Sequence, residues 1–205
     1  PIVVMGNKRI TWKYPEAIVT CQWLKDRLLT EKIRIFDCTT FLHYTDNHPN
    51  KPYVIESGFE NYKKGHIPGA AFINLQEQLS NNNSKFSFTI PDYDILDNNL
   101  KELGVGDPFH IILYSTNAIQ WATRVWWLIY ILGYKKISIL DGGLYEWQRL
   151  GYDLESGENF YKSTKFKTNL DKNVFVDKEH TLKSINDKKC ILINALTKEI
   201  HNGES

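Results

Sequence analysis

The chain has 205 residues, of which 42% are hydrophobic and 24% charged, as is usual for a globular protein with room for one domain and part of a second. A formal net charge of +1 provides no broad attraction to nucleic acid or to a membrane surface, so neither is expected as a partner. No apolar run approaches the roughly 18 residues that cross a bilayer, and the first residues lack the pattern of a secretory signal.

The cysteines indicate the compartment. Cys21, Cys38 and Cys190 are odd in number and far apart. A disulfide framework would need pairs, and a zinc site would need clustered ligands, so we expect neither. Free cysteines suit a reducing compartment, which predicts the cytoplasm, with the mitochondrion as an alternative.

The first elements are a helix, a strand and an irregular region. Thr20 is a suitable N-cap for a helix, and the run from Ile33 to Cys38 predicts a strand. Residues 43–58 are polar and contain proline and glycine, so they predict a surface excursion. His43, His48 and Asp46 lie in this region, but metal binding would need a further ligand that the sequence does not show.

The later elements continue the alternation of strands and helices. A strand is predicted at Ala70–Leu75, and a helix is predicted near residues 92–103, closed by Gly104. Then follow the strand `FHIILYS`, a buried helix stopped by Gly133, the strand `KISILDGG` and the helix `LYEWQRLGY`. This alternation predicts an α/β fold with a central parallel sheet flanked by helices.

The pattern changes after Gly151, and then part of it returns. Residues 156–173 are polar and rich in lysine, which is typical of a linker. Beyond them, Asp177 is a second candidate N-cap and lies 157 residues after Thr20, and Asn194 lies the same distance after Asp37. The shared offset predicts that residues 174–205 begin a second, tandem copy of the domain, although two amphipathic pieces can also match by chance.

One stretch has the layout of a catalytic loop without the usual residues. In `IILYSTNAIQWATRVWW` a buried strand, a short polar turn and a helix follow each other. The turn holds Ser115, Thr116 and Asn117, but it has no cysteine, no glycine and no acid. A serine nucleophile would need a neighbouring base, and the turn offers none.

Three motifs in order, `GHIPGAAFINL`, `RVWWLIYILGY` and `ILDGGLYEW`, resemble the rhodanese-like sulfurtransferases. The likeness is greatest to the tandem-domain thiosulfate and 3-mercaptopyruvate sulfurtransferases. It covers residues 17–155 and continues into 174–203. The resemblance implies a cysteine-less, structural rhodanese-like domain at 17–155, followed by the beginning of a second one.

The resemblance also implies a mechanism and a place for this chain in it. In the tandem family a loop cysteine of the second domain carries a sulfane sulfur as a persulfide, so no cofactor is implied. Ser115 stands at the corresponding cysteine position of the first domain, which makes that loop a pseudo-active site. The implied partners are a small-molecule sulfur donor, if a full second domain exists, and the neighbouring domain within the same chain. The alternative is a catalytically inactive interaction module; a phosphatase relative would also need a loop cysteine.

Several other residues have two interpretations. His66 is a candidate substrate-binding residue because the family implies that it faces an interdomain cleft, or it fixes its turn by hydrogen bonding. Arg124 is interpreted as an anion-binding residue or, in preference, as the partner of Asp141 or another acid in an ion pair. The three cysteines are expected to be packing residues, with Cys190 buried at the start of a strand.

The segment `NALTKEIHNGES` departs from the family. The resemblance implies arginines here, which would hold an anionic substrate with two hydrogen bonds at once. Leu196 and Ile200 stand at those positions, with Lys198 and His201 nearby. We therefore expect a diverged second copy.

Overall fold

The computed structural model describes residues 3–5, 8–10, 14–28, 32–45 and 53–204. The chain divides into two compact units, Pro1–Leu170 and Asp171–Ser205. The first unit contains the central sheet and the second contains two short helices.

A five-stranded parallel sheet forms the centre of the first unit. Its strands are β3 (Ile18–Val19), β4 (Ile33–Asp37), β7 (Ala71–Phe72), β8 (His110–Tyr114) and β9 (Ile137–Leu140). They lie in the order β3-β9-β8-β4-β7. Every residue of β9 is buried, as is expected when helices cover both faces of a parallel sheet. The predicted α/β class and parallel sheet are confirmed.

Six α-helices and one short 3-10 helix, Pro15–Ala17, accompany this sheet among the described residues. The α-helices are α1 (Cys21–Lys25), α2 (Phe59–Lys64), α3 (Leu75–Leu79), α4 (Tyr93–Glu102), α5 (Gln120–Ile131) and α6 (Gly143–Arg149). Thr20 caps α1 as predicted, because its hydroxyl accepts a hydrogen bond from the backbone N–H of Trp23 at 3.1 Å. Gly104 follows α4 with a φ of +94°, a conformation that glycine adopts without steric cost.

The structure differs from the sequence-based prediction at two places before α3. Residues 43–58 were predicted as a surface excursion, but β5 (Thr40–Tyr44) and β6 (Tyr53–Ser57) form an antiparallel pair there. The strand predicted at Ala70–Leu75 is shorter, β7 (Ala71–Phe72), because α3 begins at Leu75 with Asn74 as its N-cap. Asp46 and His48 lie outside the described residues. A further antiparallel pair is formed by β1 (Val3–Met5) and β2 (Lys8–Ile10), of which only the backbone is described.

The residues that follow α6 run along the surface of the first unit. We call residues 155–169 the closing segment. Glu155 forms an isolated β-bridge with His66, and Lys165 forms another with Asp107. Near its end, the backbone N–H of Asn169 donates to the carbonyl of Leu132 at 2.9 Å. This part of the chain therefore contacts three separate regions of the domain, whereas the assignment of 156–173 as a linker stays a prediction.

The second unit contains α7 (Lys178–Ser184) and α8 (Lys198–Asn202). Asp177 caps α7 by accepting a hydrogen bond from the backbone N–H of His180 at 2.7 Å. The expected buried position of Cys190 is wrong, since this cysteine is exposed and no strand is present among the described residues of the unit. A strand forms only where a neighbouring strand pairs with its backbone, and the described part of this unit provides none.

Candidate functional site

The candidate site is the loop of residues 115–119, which joins the end of β8 to the start of α5. It lies at the carboxyl edge of the sheet, with β4 and β9 on either side of β8. This edge is where open parallel sheets usually bind ligands, because the loops of neighbouring strands meet there.

Ser115 is turned into its own loop. The residue is only 7% exposed, and its hydroxyl donates to the carbonyl of Ala118 at 2.7 Å. Its own carbonyl lies against Gly143, the first residue of α6. The hydroxyl thus donates to a backbone carbonyl, and none of the described hydrogen bonds joins it to a side chain that could act as a general base.

The rest of the loop is tied to the end of β4. The backbone N–H of Thr116 donates to the hydroxyl of Thr39 at 2.9 Å. The side-chain amide of Asn117 donates to the carbonyl of Thr40, also at 2.9 Å. These two bonds fix the polar turn in one conformation.

The buried carboxylate of Asp37 supports these contacts through its hydrogen bonds with Thr39. Asp37 is 1% exposed and accepts hydrogen bonds from the backbone N–H of Thr39, at 2.8 Å, and from the hydroxyl of the same residue. Burial raises the pKa of Asp37 to about 6, although the hydrogen bonds from Thr39 and Tyr114 act in the opposite direction. Asp37 orients Thr39, which in turn holds Thr116.

The loop borders a cavity of about 460 Å³. The described residues that line it include Ser115, Thr116 and Asn117 from the loop, and Gly142 and Gly143 from the turn before α6. The lining contains no cysteine, histidine, lysine, arginine or carboxylate among these described residues. It therefore offers neither a thiol nor a charged group to an incoming substrate.

His66 lies apart from this cavity and is fully buried. Its Nδ1 contacts the carbonyl of Tyr62 at 2.8 Å, and its Nε2 lies 3.1 Å from the side-chain amide of Asn159. The ring stacks on that of Tyr62, and Glu155 is 3.7 Å from Nε2. These contacts favour the turn-fixing interpretation, while substrate binding by His66 stays a prediction.

The remaining candidates are one arginine and two buried cysteines. Arg124 donates to the carbonyl of Phe88 at 2.8 Å, and its ion pair with Asp141 stays a prediction. Cys21 is buried, and burial followed by the nearby acids raises its pKa to about 11. Cys38 is fully buried, which also raises its pKa. Neither thiol is ionised near neutral pH, so both suit packing.

Sequence reasoning did not identify the supporting residues Thr39 and Gly143. A signal for Thr39 was present, because an acid followed closely by hydroxyl residues at a strand end often forms local hydrogen bonds. Gly143 could be recognised only once β8 and β9 were known to be neighbours.

Metal-binding clusters and membrane-spanning helices are both absent from the described residues. No group of three or more histidine, cysteine, aspartate or glutamate side chains is arranged to hold a metal ion. Within the same ranges, none of the helices has the length and apolar character that crossing a membrane requires.

Comparisons with known proteins agree on one family. The sequence model described as "Rhodanese-like domain" matches residues 20–150. The chain is 29% identical over 161 residues to a human 3-mercaptopyruvate sulfurtransferase, which covers 76% of this chain and 51% of the relative. It is 23% identical over 185 residues to the thiosulfate sulfurtransferase of Gallus gallus, covering 87% of this chain and 60% of that protein.

A solved structure extends the likeness to the fold. The crystal structure of SseA from Escherichia coli, described as a 3-mercaptopyruvate sulfotransferase with the rhodanese fold, matches with a TM-score of 0.77 and 26% identity. The match covers 92% of this chain and 68% of SseA. The chain spans about half the length of the curated relatives it matches, from 35% to 60% among the first seven.

Proposed function

The chain belongs to the rhodanese-like domain family, and from this membership we propose that it is the non-catalytic part of a sulfurtransferase. The proposed reaction moves a sulfane sulfur from thiosulfate or 3-mercaptopyruvate to a thiophilic acceptor. The printed names of the relatives support this substrate class, since they describe thiosulfate and 3-mercaptopyruvate sulfurtransferases. A covalent carrier sulfur needs no organic cofactor or metal.

The observation that carries the non-catalytic assignment is that Ser115 offers a hydroxyl instead of a thiol, and that this hydroxyl is hydrogen-bonded within its own loop. A persulfide forms on a thiolate, and a hydroxyl has no equivalent chemistry. The Ser115 hydroxyl is also occupied, because it donates to the carbonyl of Ala118 at 2.7 Å. No described residue lining the cavity supplies a base that would activate it. We therefore assign the loop as a pseudo-active site.

The loop is better suited to contact than to chemistry. Ile119 and Tyr145 both line the cavity, yet they are 58% and 70% exposed. Large apolar side chains at the rim of a rigid loop favour packing against another protein surface. We propose that this surface belongs to a second domain of the same kind, which residues 174–205 begin.

The second copy is proposed to be diverged. Leu196 and Ile200, at the positions where the resemblance implies arginines, are exposed, as is the neighbouring Lys198. A lysine supplies one point charge but not the two parallel hydrogen bonds of a guanidinium. This departure favours the second candidate function, a catalytically inactive rhodanese-like interaction module.

The compartment is a further part of the proposal. Free cysteines, two of them buried, suit a reducing environment, so we propose the cytoplasm. The mitochondrion is the alternative, and one relative from Arabidopsis thaliana has "mitochondrial" in its name.

Two measurements test the proposal together. The first incubates the purified chain with thiosulfate or 3-mercaptopyruvate and follows persulfide formation by mass spectrometry, with the 3-mercaptopyruvate sulfurtransferase of Escherichia coli as positive control. We expect no persulfide on this chain. A persulfide on Cys21, Cys38 or Cys190, with turnover to cyanide or a thiol, would overturn the non-catalytic assignment.

The second measurement is the intact mass of the protein isolated from its natural source. A mass clearly above 23.9 kDa, together with sulfurtransferase activity, would support the sulfurtransferase proposal. A mass near 23.9 kDa without activity would instead support the interaction module.

A further inference from the structure

The hydroxyl group of Thr39 lies between a buried carboxylate and the wall of the loop cavity, the cavity that borders residues 115–119. Thr39 and Asp37 are each 1% or less exposed to solvent, whereas Thr116 is half-buried and lines the cavity. The Thr39 hydroxyl is within hydrogen-bond distance of a carboxylate oxygen of Asp37 on one side and, at 3.2 Å, of the Thr116 hydroxyl oxygen on the other. One hydroxyl group thus connects a buried titratable group to the cavity.

This hydroxyl has two acceptors in reach but only one hydrogen. A threonine hydroxyl donates one hydrogen bond and accepts up to two, so at any moment it donates either to Asp37 or to Thr116. An ionised carboxylate is the stronger acceptor, and it takes the hydrogen while Asp37 is charged. The oxygen of Thr39 meanwhile accepts from the backbone N–H of Thr116 at 2.9 Å, whichever way the hydroxyl hydrogen points.

Protonation of Asp37 reverses this preference. A carboxylic acid carries a hydrogen that it donates, and its oxygens are weaker acceptors than those of a carboxylate. The oxygen of Thr39 has a second lone pair besides the one used by the backbone N–H of Thr116, so it accepts the new hydrogen bond from Asp37. Both hydrogens then have an acceptor when the Thr39 hydrogen points to the Thr116 hydroxyl.

We propose that the Thr39 hydroxyl is a pH-sensitive switch between Asp37 and the loop cavity. Its hydrogen points to Asp37 while that carboxyl group is ionised, and it turns to Thr116 when the carboxyl group is protonated. In the first state the Thr116 oxygen keeps both lone pairs to accept hydrogen bonds. In the second state it accepts from Thr39, which strengthens the Thr116 hydroxyl as a donor toward the cavity.

The environment of Asp37 sets the pH at which the switch acts. Burial raises the pKa of Asp37 to about 6, so both states are populated near that pH. Four titratable side chains interact with it, from β4, β8, α2 and the turn after α2: Cys38, Tyr114, Tyr62 and His66. Burial raises the pKa of the thiol and of both phenols, so these stay neutral, whereas a protonated His66 lowers the pKa of Asp37. β7 and the loop add no titratable side chain.

The switch changes the contact that we propose for this loop. If the cavity rim meets a second domain, a partner group that accepts a hydrogen bond from Thr116 is held more tightly below about pH 6 than above it. This consequence rests on the proposed function, whereas the switch itself depends only on Asp37, Thr39 and Thr116. The experiment therefore measures the switch in the chain by itself, and the outcome of a persulfide assay has no bearing on it.

The test is a pH titration followed by nuclear magnetic resonance, with the ¹³Cγ signal of Asp37 as the measure of its charge. Thr116→Val removes the acceptor that the Thr39 hydrogen needs in the protonated state and keeps the hydrogen bond of the ionised state. We expect the midpoint of Asp37 to fall by about 0.5 pH unit in this variant. In Thr39→Val we expect the midpoint to rise, because the hydrogen bond from the Thr39 hydroxyl lowers the pKa of Asp37.

Asn117→Ala is the matched control. Asn117 is the next residue of the loop, but its side chain bonds to the carbonyl of Thr40 and not to Thr39. We expect the midpoint of Asp37 to stay at the wild-type value in this variant. The ¹³Cε1 signal of His66 is recorded in the same samples, so that a change in the charge of this imidazole is distinguished from a change at Asp37. Circular dichroism verifies that each variant is folded.

Three results would overturn the proposal. The first is an unchanged or raised midpoint in Thr116→Val, because a methyl group that merely excluded water from the carboxylate would raise it. The second is an equal fall in Asn117→Ala, since the effect would then come from loosening of the loop. The third is an Asp37 signal that does not titrate between about pH 4 and 8. Thr116 is only half-buried, so the deciding variant does not depend on whether Thr39→Val folds.

Discussion

The carbonyl oxygen of Ser115 occupies the space where a side chain at position 143 would begin. A Cβ atom added at Gly143 would collide with this oxygen, and the φ of Gly143 is +54°. The loop after β8 and the turn after β9 therefore fit together only because residue 143 has no side chain. This close approach places the loop of residues 115–119 directly against the start of α6.

Gly143→Ala is expected to destabilise the protein more than a glycine substitution at an open position. The new methyl group must displace the carbonyl of Ser115 as well as adopt an unfavourable φ, which together should lower the free energy of unfolding by roughly 3 kcal/mol. Gly151→Ala is the control, since its φ is +73° and nothing lies within 4 Å of the added Cβ. For Gly151→Ala we expect the free energy of unfolding to fall by about 1 kcal/mol. Urea unfolding measures both, and equal losses would show that the contact has no effect.

The buried carboxylate of Asp37 predicts a pH-dependent stability. Its pKa is about 6 in the folded protein, against an ordinary value of 3.8. Between these two values the folded protein holds the proton more tightly than the unfolded chain does. The free energy of unfolding therefore falls as the pH rises through this window, by up to roughly 3 kcal/mol for a shift of about two units.

Asp37→Asn isolates this contribution, because asparagine accepts the hydrogen bonds of Thr39 without ionising. We expect the variant to gain stability relative to the wild type as the pH rises from about 4 to 6, and to keep that gain above pH 6. Chemical unfolding of both proteins at a series of pH values provides the measurement. A difference between them that is the same at every pH would show that Asp37 does not titrate in this window.

The sequence predicted the elements whose signals are local. Thr20 and Asp177 were recognised as helix caps because the residue type and the start of an amphipathic helix lie within a few positions. The pair β5 and β6 was missed because the sequence between the two strands, residues 45–52, is polar and contains two prolines, which is typical of a loop. A local pattern does not show which distant residue a strand will meet.

The same reason explains what was missed at the candidate site. The position of Ser115 at the end of a strand followed from the motif, but its contact with Gly143 depends on the order of the sheet. His66 was recognised as a candidate, yet its contact with Asn159 joins residues 93 positions apart. Such contacts depend on tertiary packing, which single-sequence patterns do not encode.

The three cysteines are expected to react at different rates with iodoacetamide under native conditions. Cys190 is exposed and should be alkylated first. Cys21 is 2% exposed with a pKa of about 11, and Cys38 is fully buried, so both should react at least roughly tenfold more slowly. Peptide mass spectrometry over time gives the three rates, and the denatured protein is the control in which the differences should disappear.

Arg34 provides a prediction about the closing segment. The residue is only 7% exposed, and its guanidinium donates to the carbonyls of Gly104 at 2.5 Å and Lys162 at 2.8 Å. It also lies over the rings of Phe109 and Tyr161, with centroid distances of 3.8 Å and 4.8 Å. One side chain thus joins β4, the turn after α4 and the closing segment.

Arg34→Met keeps most of the apolar volume but removes both hydrogen bonds, leaving two carbonyl groups without this donor. We expect the free energy of unfolding to fall by roughly 3 kcal/mol and amide hydrogen exchange to increase at residues 159–165. Arg149→Met is the control, because its partner Glu146 lies one turn away on α6 and the pair is exposed. If exchange in the closing segment stayed at the wild-type rate in Arg34→Met, the segment would be held by its other contacts, such as the bonds of Tyr161 and Thr164.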